Sequence, residues 1–218
     1  MHVIYDVETG IVDKLIPDVD GSLVLNVQEG QSSMPWTPTI TGLADYSWVE
    51  VDGGGNKTLH AAPPKPEHHE WDWPTKSWLP NLDAAKAAKK AEIEAEHSRR
   101  INEPLLYDGK VLDADQTARD NLKAKLEEVR ERIRLNMPMA PELLVWRDNG
   151  DQTHHWPTIE AYHDWLAGYA VAMSDRGTRC YACAWYHKDV LKAANDQNGQ
   201  PWTVESIAAH DITAGWPA

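Results

Sequence analysis

Pro104-Leu-Leu-Tyr-Asp-Gly-Lys-Val-Leu-Asp113 and Leu143-Leu-Val-Trp-Arg-Asp-Asn-Gly-Asp-Gln-Thr-His-His-Trp156 decide the fold of the second half of this chain. Each places apolar or aromatic residues on both sides of a turn pair, Asp108-Gly109 and Asn149-Gly150. A two-residue type I′ hairpin demands such pairs, because both central residues need positive φ. Helix signals lie before, between and after them. The order helix, hairpin, helix, hairpin, helix is therefore expected over residues 82–196.

The first of these helices starts at Asn81 or Asp83, either of which can cap free backbone N–H groups, and runs to about Ile101. Its apolar content is mostly alanine, so it needs close packing on another helix or on a second copy of itself. Two readings stay open: a spacer at an oligomer axis, giving a homo-oligomer through the C-terminal helices, or a solvated helix on one monomer. The second helix, about Asp115 to Met137, carries Ala118, Leu122, Leu126, Val129 and Ile133 on one stripe, with Pro138 and Pro141 to stop it. A third begins after Thr158 with Ile159, Tyr162, Leu166, Tyr169 and Met173 in line. The stripe resumes at Cys180, Ala184, His187 and Leu191, which fits one long helix interrupted near Gly177. Residues 197–218 read as a tail with a short helix from Thr203 to Ala209.

Residues 1–60 read as a small β-rich module. His2–Tyr5, Ile11–Ile16, Ser22–Val27 and Tyr46–Val51 are short β-branched or aromatic runs separated by glycine, with Gly53-Gly54-Gly55 as a hairpin tip returning through Thr58–His60. Residues 61–81 read as an extended linker, because Pro63, Pro64, Pro66, Pro74 and Pro80 oppose regular pairing. Trp71, Trp73 and Trp78 lie within it, either as a clamp onto a partner or as a seal between the modules of this chain. The fold class is α+β.

Composition narrows the function. The chain holds eleven Trp and no Phe, a bias that suits half-buried cores and interfaces. Its net charge is −13, and residues 1–60 carry nine acids against two bases, which opposes phosphate and argues against nucleic acid as a partner. No apolar run approaches the roughly 20 residues that cross a bilayer. No secretory leader is evident, so folding in a cytoplasm with reduced cysteines is expected.

Catalytic chemistry finds little purchase. Cys180 and Cys183 share a C-x-x-C spacing but fall mid-helix, without the helix N-terminus that activates such a thiol. Adjacent histidines, His68-His69 and His154-His155, point to opposite sides of an extended chain and do not chelate one ion together. Nucleophile elbow, Walker loop and dinucleotide fingerprint are all missing. No catalytic residue, cofactor or metal is expected.

Lys90-Ala-Glu-Ile93, Pro104-Leu105 with Tyr107 and Gly109, Asp113-Ala-Asp115, Trp146-Arg-Asp-Asn149 and Trp185-Tyr-His-Lys188 together resemble a domain of unknown function that recurs at the C-terminal end of tail-fibre and tail-fibre-assembly proteins of tailed bacteriophages. Tyr5-Asp6, Thr9-Gly10, Trp71-Asp72, Trp78 and the ending Asp211-Ile-Thr-Ala-Gly-Trp-Pro217 are similar to the same proteins. The resemblance implies a non-enzymatic tail protein, fibre- or baseplate-associated, present in the host cytoplasm during assembly and in the virion tail afterwards. An assembly chaperone absent from the mature virion is the alternative, and a tail-borne polysaccharide hydrolase a lesser one. Trp71, Trp73, Trp78, Trp202 and Trp216 are the candidate contacts with a tail-fibre or baseplate protein.

Overall fold

The computed structural model describes residues 2–16, 27–35 and 46–217. The chain is α+β, strand-rich in its N-terminal part and helical in its C-terminal part. It divides into two compact units, Met1–Asn81 and Leu82–Ala218.

In the first unit, β1 (His2–Asp6) pairs antiparallel with both β2 (Val12–Ile16) and β3 (Gln31–Pro35). Flanked on both sides, β1 supplies the core: Val3 and Tyr5 pack with Val49, and Val12, Leu15, Met34 and Leu59 close around them. β3 is not legible in the sequence, because Gln31-Ser-Ser-Met-Pro35 reads as polar. As an edge strand it contributes one apolar side chain, Met34, and ends in a proline that central pairing would not tolerate. Of the expected strand Ser22–Val27, residues 22–26 lie outside the described residues. A hairpin of β4 (Ser47–Val51) and β5 (Lys57–Ala61) turns at the three expected glycines.

Residues 61–81 are more than a linker. Within them β6 (His69–Asp72) and β7 (Ser77–Pro80) form an antiparallel hairpin that sets Trp71 opposite Trp78. The prolines permit this because Pro74 lies in the turn and Pro80 ends its strand, where a missing N–H is tolerated. Cross-strand indole contact then outweighs the local bias toward an open chain.

The second unit is organised by one long helix. In chain order it comprises α1 (Leu82–Asn102), β8 (Leu105–Tyr107), β9 (Lys110–Leu112), α2 (Gln116–Arg134), a 3₁₀ turn at Pro141–Leu143, β10 (Val145–Arg147), β11 (Thr153–His155), α3 (Ile159–Lys192) and α4 (Val204–Ala209). α3 runs 34 residues without a break at Gly177, about 50 Å at 1.5 Å per residue. The gap in its apolar stripe is filled by Arg176, which is buried and donates to the carbonyls of Arg100, in the last turn of α1, and Pro104, just past it. A stripe counted in apolar residues alone breaks near Gly177, whereas the helix itself is continuous.

Two hydrophobic clusters hang on α3. Its first half contributes Tyr162, Trp165, Leu166 and Tyr169, packed with Leu122 and Val129 of α2 and Leu112 of β9. Its second half contributes Ala184 and Leu191, packed with Ala85 and Ile93 of α1 and with Trp202, Val204 and Ile207. The alanine-rich α1 thus obtains the close helix partner it needs inside this chain. α2 starts at the Asp115 cap, whose carboxylate accepts from Ala118 N at 2.7 Å. It stops at Arg134, before the prolines, because Asn136 takes a left-handed conformation (φ 53°) and Met137 N returns to Arg132 O at 2.8 Å. That is a Schellman ending, and it leaves Ile133 at the exposed end of the stripe.

The first hairpin is the expected two-residue turn, with positive φ at both Asp108 (50°) and Gly109 (71°). The second is not. Arg147 pairs with Thr153, and positive φ falls on Asp151 (60°), so Asn149-Gly150-Asp151 forms a wider loop. Asp148 imposes it, since one carboxylate oxygen accepts from both Gly150 N and Gln152 N at 2.9 Å. Both hairpins are tied down elsewhere: Trp165 Nε1 donates to Asp108, Tyr162 Oη to Val145 O and Asn149 N to Val111 O.

Candidate partner-binding surfaces

In the N-terminal unit the aromatic residues converge. Trp71 and Trp78 meet edge-to-face at 5.1 Å, and Tyr46 sits between 5.0 and 6.2 Å from Trp71, Trp73 and Trp78. Trp48 joins through Trp71 at 5.6 Å and stacks on His60 across the β4–β5 register. The Trp78 indole donates to Pro63 O at 3.0 Å, which pins the proline segment to the hairpin. All three predicted linker tryptophans are therefore half-buried on one another, and they hold this unit together while presenting only their outer edges. Lys76 and Lys65 lie over Trp48 and Trp78 at 5.3 and 6.0 Å.

In the C-terminal unit the predicted contacts divide differently. Trp202 is 6% exposed, donates to Ala193 O at 3.0 Å and belongs to the second cluster, so it serves as core. Trp216 is half-buried against the same cluster, its indole folded back onto Ile212 O at 2.7 Å. The displayed aromatics are others: Trp185 is 63% exposed, Tyr186 57% and Tyr181 50%. All three lie on the distal half of α3, with Tyr181 and Trp185 6.2 Å apart on successive turns. Their signal was present in the sequence. They are large aromatics that fall off the buried stripe Cys180, Ala184, His187, Leu191, and a residue off the stripe must face outward.

Concavities adjoin α3 along both halves of its length, two of them lined in large part by its own residues. One, of about 370 Å³, is lined by Ile101, Leu122, Leu126, Ala170 and Met173 and is almost wholly apolar. The other, of about 670 Å³, lies against the C-terminal segment, with Arg179, Cys183, Tyr186, His187 and Asp211 among its walls.

The groups flagged for chemistry disperse. Burial pushes both the Cys180 and Cys183 thiols up, away from the thiolate form a nucleophile requires. His154 is held by Asp148 at 2.9 Å, and His69 Nδ1 lies 2.7 Å from Glu67 O. Among the described residues no three His, Cys, Asp or Glu side chains group closely enough to hold a metal ion. No helix there is long and apolar enough to cross a membrane.

No curated protein and no solved structure matches the chain. Residues 84–213 match a family described as a domain of unknown function, DUF4376, and these residues include all four helices but for the first two positions of α1. The match spans more than half of the sequence, and the chain belongs to that family.

Proposed function

We propose that this chain is a non-enzymatic tail protein of a tailed bacteriophage, a fibre- or baseplate-associated component that works by gripping other proteins. The observation that carries the binding role is the exposed set Tyr181, Trp185 and Tyr186 on a rigid 34-residue helix. Large aromatics bury much area at small cost in side-chain entropy, and they are enriched where interfaces concentrate their binding energy. The phage setting is supported by the resemblance of Pro104–Asp115, Trp146–Asn149 and Trp185–Lys188 to tail-fibre and tail-fibre-assembly proteins. In this reading the chain is made in the host cytoplasm, joins a fibre or baseplate protein, and stays in the virion tail.

Mass spectrometry of purified virions tests the role. Stoichiometric copies are expected, and absence from virions that need the gene would replace the structural role with that of an assembly chaperone. Replacing Trp185 and Tyr186 by alanine should abolish co-purification with the fibre or baseplate protein while leaving helicity unchanged. Undiminished co-purification would remove α3 as the gripping surface.

A further inference from the structure

His187 and His210 are joined in a way that neutral pH permits and acid does not. His187 lies on the buried stripe of α3 and is 3% exposed, and His210 follows α4. His187 Nε2 is 3.1 Å from Ala214 O, and a carbonyl oxygen only accepts, so this nitrogen carries a hydrogen. In the neutral ring Nδ1 is then an acceptor, and it faces His210 Nε2 at 3.1 Å, which must donate. The carboxy-terminal segment has further contacts, most of them apolar, and His187 also stacks near Trp216 at 6.2 Å. Cys183 Sγ reaches Ala214 O at 3.7 Å, Ile212 and Trp216 rest on the second cluster, and Asp211, Thr213, Ala214 and Gly215 are exposed.

We propose that the His187–His210 pair is an acid-sensitive latch that clasps residues 211–217 to α3 at neutral pH and releases them when both rings are protonated. One added proton fits, because either ring can donate it to the other across the same 3.1 Å line. Two do not: N–H then meets N–H, and two cations face each other across 3.1 Å with the His187 ring buried. The charged groups around the pair reinforce the limit. From α1, Lys89 reaches Ala208 O at 3.0 Å and is paired with Glu92, and the His97 ring stacks near Trp216. From α3, Arg179 and Cys183 share a groove with His187, and neither brings a negative charge at neutral pH. Asp211 opposes them, but its pull on His210 is the smallest of these influences.

Burial, then His187, then Lys89 depress the affinity of His210 for a proton below the ordinary histidine value. The latch is therefore intact above about pH 6.5, where an unfolded histidine is neutral, and loses stability as pH falls below that value. Release bares Trp216 and the groove along α3.

Nuclear magnetic resonance of the full chain between pH 8 and pH 5 tests this, following the Trp216 indole, the Ala214 and Gly215 amides and both imidazole rings. The tail signals are expected to shift together below about pH 6.5, with a steepness above one proton and a loss of amide protection of about tenfold or more. The Trp202 indole and the helical circular-dichroism signal should stay fixed. His210→Gln can still donate to His187 but takes no proton, so its tail should hold, with less than about a twofold loss of protection over the same range. Tail signals that do not move with the ring titrations in the wild-type chain would overturn the proposal, whether or not the variant folds. So would movement of Trp202 in step with the tail, which would mark general unfolding.

Discussion

Trp202 and Trp185 are the same side chain put to opposite uses within seventeen positions of one another. The indole at 202 is enclosed by Ala85, Ile93 and Leu191 and its N–H is satisfied, so Trp202→Ala should cost about 3–5 kcal/mol in a denaturant titration. At 185 the ring stands mostly in solvent, and Trp185→Ala should move stability by no more than about 0.5 kcal/mol. Equal costs at the two sites would contradict the division into core and display. Tyr162 offers a second check. Burial first, and the Glu128 carboxylate after it, push its phenol up to about 12, and Tyr169 is raised by burial too. Below the ordinary tyrosine value of about 10 this contribution to stability is complete, and it fades as pH rises toward 12. Ultraviolet titration of the folded chain should show these two phenols silent at pH 11. Full ionisation of all seven tyrosines there without loss of helix would refute the buried placement.

One loop occurs three times among the described residues. In Asp52-Gly-Gly-Gly-Asn56, Asp148-Asn-Gly-Asp-Gln152 and Asp196-Gln-Asn-Gly-Gln200 the first carboxylate accepts from the backbone N–H two and four residues on, at 2.8–2.9 Å. The fourth residue is left-handed each time: Gly55 at 82°, Asp151 at 60° and Gly199 at 76°. Asp151 is the one copy without glycine there. Asp151→Gly should therefore raise thermal stability by up to about 1 kcal/mol, whereas Asp148→Ala should fray the β10–β11 hairpin and speed exchange of its amides. A stabilised Asp148→Ala would show that the loop needs no anchor. For Asp148 the His154 ring, followed by the loop amides, holds the carboxyl below its usual range, and for Asp52 the Asn56 side chain and backbone do so. This support is full above about pH 4 and is lost as pH falls through the lowered values.

For the molecule as a whole, the decisive fact is that each unit owns its core. Val3, Tyr5 and Val49 belong to the first, and both clusters on α3 are built only from residues after Asn81. A chain restricted to residues 82–218 should keep its helical signal and unfold within about 4 °C of the full-length transition for that unit. Aggregation or loss of helix would mean that residues 1–81 complete its core. The tryptophans at 71, 73 and 78 belong to the same scale. Because they pack on Tyr46 and on each other, replacing all three should unfold the first unit and leave α1, α2 and α3 intact.

Periodicity alone determined much of this protein. The stripes of α2 and α3, the Asp115, Thr158 and Thr203 caps and the Asp108-Gly109 turn are local, set by neighbours within four residues, and so they could be read directly. Only the tertiary structure decided the rest, because each remaining outcome depends on a distant partner. Arg176 continues α3 because two carbonyls at the end of α1 need donors, and β3 exists because β1 has a free edge. β6 and β7 pair because two indoles meet across them. Beyond the aromatics that fall off the α3 stripe, which tryptophans are buried and which histidines touch is a matter of what the chain brings back from far away, and no local pattern encodes it.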